Sequence, residues 1–159
     1  MSAHEPQGID FYQALRRYLG FSLAAHLIWE ILQLPLYTLW STGTLQQKVF
    51  AIFHCTIGDV MIAGLSLLVA LATFAPSRWP AAGLARVWVA CLALGVSYTI
   101  FSEWLNTSVR GSWDYSDLMP VVPLVGAGVA PVLQWIVVPT FVMWSAVGRA
   151  PWIDRRTGS

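Results

Sequence analysis

Four long apolar stretches constrain this chain more than any other feature. They read YLGFSLAAHLIWEILQLPLYTLW (18–40), VFAIFHCTIGDVMIAGLSLLVALATFA (49–75), VWVACLALGVSYTIFSEWL (87–105) and APVLQWIVVPTFVMWSAV (130–147). A helix crosses the hydrocarbon core of a bilayer with about 20 residues, so each stretch is long enough to span. Backbone in lipid must satisfy its own hydrogen bonds, which leaves helices or a closed barrel. The expected fold is an all-α membrane protein, a four-transmembrane-helix bundle, with residues 1–159 forming a single membrane domain. Composition agrees: 57% of residues are hydrophobic and 11% are charged, where soluble domains carry about a quarter charged residues. A net charge of +1 without a long Lys/Arg run leaves no electrostatic footprint for nucleic acid. The expected surroundings are membrane lipid, with other membrane subunits or a homo-oligomer as candidate partners.

Orientation follows from the nine basic residues, because Lys and Arg are retained on the cytoplasmic side. Arg16, Arg17, Arg78, Arg86, Arg149, Arg155 and Arg156 fall before the first stretch, between the second and third, or after the fourth. Only Lys48 and Arg110 fall in the other two connections. Both termini are therefore expected in the cytoplasm, and in a bacterium the other side is periplasm, giving a multi-pass inner-membrane protein. The polar start MSAHEPQGID carries acids, unlike a basic signal-peptide start, so no cleavage is expected. Asp10 and Gln13 have capping-box spacing, which places a helix start after Asp10, either at the interface or continuous with the first span. Trp29, Trp40, Trp79, Trp88, Trp104, Trp113, Trp144 and Trp152 fall mostly near expected interfaces, as aromatic belts do. Cys55 and Cys91 lie at different expected depths on neighbouring helices, too far apart for a disulfide.

The connection 106–129, NTSVRGSWDYSDLMPVVPLVGAGV, is long, with three glycines and two prolines. Its apolar second half is expected to dip back into the membrane or to pack over the bundle, forming a lid on the periplasmic side. Asn106, Trp113 and Tyr115 are candidate ligand contacts at its mouth.

Ionisable groups inside a bilayer cost a few kcal/mol each, so they face the bundle interior and generally have a task. This chain has five: His26 and Glu30 on the first span, His54 and Asp59 on the second, and Glu103 on the third. Gln33 and Gln134 add uncharged polar groups and are further ligand-binding candidates. His26, Glu30 and Gln33 share one helical face at i, i+4, i+7. His54 and Asp59 are about 140° apart around their helix and are expected to serve different neighbours. Counted at 1.5 Å per residue, the group lies in the outer half of the bilayer. The inner half of the second span has only Ser66 and Thr73 as polar side chains, so no polar path through the membrane is visible.

Several chemistries fit such a set. His26, Glu30, His54, Asp59 and Glu103 are nitrogen and oxygen donors suited to a divalent transition metal. Glu30, His26, Asp59 and Glu103 are also candidate acid–base catalysts for an apolar substrate arriving from lipid. The His-x-x-x-Glu spacing of His26 and Glu30, with an acid on a later helix, resembles membrane isomerases of the sterol Δ8-Δ7 type. That resemblance covers this spacing alone and implies acid–base chemistry on an apolar molecule. Proton or ion relay fits the residue types too, although the apolar inner half opposes it. The structural alternative pairs Glu30 with His54, Asp59 with His26, and Glu103 with Asn106 or Arg110, as polar glue in a non-catalytic subunit or assembly partner of a larger complex.

Overall fold

The structure, a computed structural model, describes residues 10–147. Arg149, Arg155, Arg156 and Trp152, used above for orientation and anchoring, lie outside them. Among the described residues, four helices are long and apolar enough to cross a membrane: α1 (Phe11–Gln33), α3 (Leu45–Phe74), α4 (Leu84–Trp104) and α5 (Val129–Val147). A single helical turn, α2 (Leu39–Thr42), lies between the first two.

Helix ends follow local chemistry. The Asp10 carboxylate accepts the Gln13 N–H at 2.8 Å and caps α1, which runs from there into the membrane as one helix. Pro35 lies in the three-residue 3-10 turn Leu34–Leu36 that follows α1, where its missing N–H and rigid ring stop α-helical propagation. At α3, Thr44 accepts the Gln47 N–H (3.3 Å) while the Gln47 side chain accepts the Thr44 N–H (2.8 Å), a reciprocal capping box. The α4 helix ends in a π turn, Leu105–Val109.

The long helices form a ring in which α1 packs on α3 and α5, and α4 packs on α3 and α5. One end of the ring is an apolar core of small and aliphatic side chains, including Ala14, Leu67, Ala70, Val87, Val142 and Ala146. Close approach there depends on missing side-chain volume. Toward the other end, Gly95 of α4 lets the Trp135 ring of α5 lie directly on its backbone, in space a Cβ would occupy.

The segment 110–128 covers this second end. Ser116 N–H donates to Leu36 O (2.9 Å) and Thr38 N–H to Asp114 O (3.0 Å), while Tyr37 and Tyr115 form an isolated antiparallel bridge. Val121 and Gly128 form a second bridge, and Met119, Ala127 and Gly128 are buried. The segment is a strap fastened to the turns after α1.

Candidate functional site

Beneath the strap lies a cavity of about 330 Å³ walled by all four long helices. Pockets that bind small molecules typically have volumes of about 300–1,000 Å³. Glu30, Gln33, His54, Asp59, Glu103, Asn106, Trp113 and Gln134, all singled out from the sequence, line it. His26 lies behind them, fully buried, and Tyr115 touches the site through Glu103.

The side chains from α1, α3 and α5 converge on Gln134. Its Nε2 lies 2.8 Å from Asp59 Oδ2, 3.1 Å from Glu30 Oε1 and 2.9 Å from His26 Nδ1. His26 Nδ1 is also 3.4 Å from Asp59 Oδ2. The amide orientation is set from a distance. Trp29 Nε1 donates to Gln33 Oε1 (3.1 Å), which turns Gln33 Nε2 toward Glu30 Oε1 (2.6 Å) and Gln134 Oε1 (3.4 Å). With its oxygen facing Gln33, Gln134 presents its NH₂ to the two carboxyls and the imidazole.

An amide NH₂ has two protons and here faces three acceptor positions. If His26 Nδ1 accepts one, the ring proton sits on Nε2, which is buried without a partner, and the other amide proton goes to Asp59 or Glu30, of which Glu30 is also served by Gln33 Nε2. Two carboxylates meeting at one NH₂ in a buried site repel one another, and a proton held by one of them removes that repulsion. If Nδ1 instead carries the ring proton, it donates toward Asp59 and Gln134 serves the carboxylates, but a donor then faces the amide nitrogen. Rearranging these hydrogen bonds can move a proton within the site.

Glu103 forms a second station. Tyr115 O–H donates to Glu103 Oε2, and the same phenol oxygen accepts the Gly128 N–H at 2.8 Å. Burial, followed by the Glu103 contact, raises the Tyr115 phenol above its ordinary value. The Trp113 indole N–H is buried without a hydrogen bond of normal geometry.

Two anticipated pairings differ in the structure. His54 is not paired with Glu30. It is exposed on α3 and stacks on Phe50, with ring centroids 5.4 Å apart, as its angular offset from Asp59 implied. Glu103 meets Tyr115, while Asn106 turns back onto Ser102 O at 2.8 Å. The pairing of Asp59 with His26 is present. Cys55 and Cys91 are both free thiols. Among the described residues no three His, Cys, Asp or Glu side chains are grouped so as to hold a metal ion, because Gln134 occupies the point on which His26, Glu30 and Asp59 converge. Sequence reasoning passed over Tyr37, Gly58, Tyr98, Ser102 and Trp135, which also line the cavity. Gly58, next to Asp59, and Ser102, next to Glu103, carried a usable signal, since each neighbours an intramembrane acid.

No family model matches the chain, and no curated protein or solved structure is similar to it.

Proposed function

We propose that this protein is a bacterial inner-membrane protein that binds a small or lipidic, largely apolar ligand in the carboxylate pocket and performs acid–base chemistry on it. Glu30 and Asp59 are the proton-exchanging pair, with His26 and Gln134 positioning that proton and Glu103 completing the polar wall. The observation that carries this reading is the hydrogen-bond set at Gln134, in which one NH₂ faces two carboxyls and an imidazole. Two carboxyls meeting at one buried NH₂ hold a proton between them to relieve like-charge repulsion. That gives the site a movable proton beside a cavity large enough for a reactant. The pocket faces the periplasmic half of the bilayer in this reading, since the basic residues place the strap outside.

The test is to purify wild type, Glu30→Gln and Asp59→Asn in mild detergent and identify the organic molecules that accompany each by mass spectrometry. Wild type is expected to hold a substrate and its converted form. Each variant should hold the substrate with at least a hundredfold less product, given that general acid–base catalysis contributes about 10²–10⁴-fold. An identical molecular inventory in all three would sink the proposal.

A further inference from the structure

We infer that the pocket admits its ligand sideways from the bilayer, through a portal between α3 and α4 framed by His54 and Tyr98, and that the ligand is an amphiphile with a hydrogen-bond-donating head, a hydroxyl or an amine. The route stands apart from the acid–base reading, because it concerns where a molecule enters and not what happens to it.

The position of the rim comes first. Of the side chains that line the cavity, those exposed on the protein surface are His54 on α3, Tyr98 on α4 and Arg110 just past the π turn. The lining residues from α1 and α5 are buried or half-buried, and on the α1 side the strap is fastened by Ser116 to Leu36 and by Thr38 to Asp114. The opening therefore lies between α3 and α4.

Depth decides which medium it meets. Lys48 sits over the Trp40 ring at 5.1 Å, a pair suited to the membrane interface, and His54 follows six residues later, about 9 Å deeper along the helix. On α4, Tyr98 precedes the exposed Trp104 by six residues, again about 9 Å deeper. At that level the surroundings are hydrocarbon, while Arg110 marks the upper edge at the headgroups.

Volume and chemistry define the guest. At about 330 Å³ the cavity lies at the lower end of small-molecule pockets, so a lipidic ligand inserts its head and leaves its chain in the bilayer. Inside, Glu30 and Asp59 each have one oxygen engaged, Oε1 and Oδ2, and their second oxygens receive no donor from the described residues. Among the described residues three acidic side chains line the cavity, and the one Lys or Arg there is Arg110 at the mouth. An anionic head is repelled there, while a hydroxyl or ammonium supplies the missing donors.

The test is photolabelling of the protein in lipid nanodiscs with a diazirine-bearing long-chain alcohol, a long-chain amine of the same length, and a long-chain alkyl sulfonate. Peptides containing Cys55 to Gly58 and Tyr98 to Ser102 are expected to be labelled by the alcohol, the amine or both, at least fivefold more than by the sulfonate. Gly58 lines the cavity, and a Cβ built on it meets nothing within 4 Å, so Gly58→Trp should fill the portal and cut labelling at least fivefold. Gly58→Leu, with thermal unfolding recorded for both variants, separates blockage from misfolding. The portal is overturned if these peptides are unlabelled, if the sulfonate labels them equally, or if a short-chain, water-dissolved alcohol at the same bulk concentration labels them as strongly. Product formation lost in Glu30→Gln with labelling unchanged would leave both readings standing; product formation unaffected by that substitution would remove the acid–base reading alone.

Discussion

Gly58 and Gly95 are both helical glycines, yet their surroundings give them opposite tolerances. A methyl on Gly58 enters open cavity, whereas one on Gly95 collides with the Trp135 ring. Replacing a helical glycine by alanine gains roughly 0.8–1 kcal/mol of helix propensity, and overpacking a tight contact costs about 1–3 kcal/mol. Gly58→Ala is thus expected to raise the thermal midpoint in detergent and Gly95→Ala to lower it; the same sign for both would contradict the geometry. Gln134 supports a second prediction at this scale. Gln134→Leu removes the donor shared by Glu30 and Asp59 and should destabilise the fold by about 1–3 kcal/mol. Adding Glu30→Gln restores an NH₂ beside Asp59, so the double variant should be more stable than Gln134→Leu alone. Additive losses in a double-mutant cycle would show that the groups act independently.

At the scale of elements, the strap is held partly by backbone bonds to the turns after α1 and partly by Tyr115, whose phenol joins Glu103 of α4 to Gly128 at the start of α5. A hydrogen bond contributes about 0.5–1.5 kcal/mol net, and an orphaned buried donor, here the Gly128 N–H, costs about 1–3 kcal/mol, while about 1.4 kcal/mol is a factor of ten in an opening equilibrium. Tyr115→Phe should therefore speed tryptic cleavage after the exposed Arg110 by about tenfold or more, if cleavage tracks local opening; an unchanged rate would mean the backbone bonds alone hold the strap. The phenol also sets a pH window. Its proton is held more tightly folded than unfolded, so the latch contributes fully below the ordinary tyrosine value near 10. That contribution is lost as pH rises through the elevated folded value. Subtracting the alkaline absorbance titration of Tyr115→Phe from that of wild type should show no Tyr115 tyrosinate until above pH 10. Ionisation below 10 would refute the buried latch. The latch was not legible in the sequence, where Tyr115 stands as a candidate ligand contact at the mouth of the loop. Its partner is twelve positions back, across irregular backbone to which no helical or strand periodicity applies. The helices themselves were legible because lipid enforces long apolar runs. At the first helix two signals differed: the exposed Arg16 and Arg17 break hydropathy at Tyr18, while the Asp10–Gln13 spacing places the start where the helix does begin, at Phe11. Within the site, the shared face of His26, Glu30 and Gln33 was readable from spacing on α1. The role of Gln134 as hub was not, because it depends on how α5 packs beside α1 and α3.

For the whole molecule, the bundle is divided along its axis: an apolar half built on Ala14, Leu67, Val87 and Val142, and a half holding the carboxylates under the strap. That polarity gives the membrane orientation its consequence, because it decides which compartment the strap and Arg110 face. Seven of the nine basic residues accompany the apolar end or the termini, and two, Lys48 and Arg110, accompany the strap end. The charge bias acts through residues close to the ends of spans, and Arg16, Arg17, Arg78 and Arg86 are all exposed there. A fluorescent protein that matures only in the cytoplasm, fused after Ser159, is therefore expected to glow. A cysteine placed at the exposed Ser112 should react with a membrane-impermeant maleimide in spheroplasts. A dark fusion together with an unreactive Ser112→Cys would invert the molecule and put the pocket in the cytoplasmic leaflet. A glowing fusion with an unreactive Ser112→Cys would instead mean that another chain covers the strap, which is the one result here that favours the subunit reading over the isolated pocket. If the charge bias is the cause of the orientation, Arg78→Ala with Arg86→Ala should lower fusion fluorescence measurably, while Arg110→Ala, which strengthens the bias, should leave it unchanged.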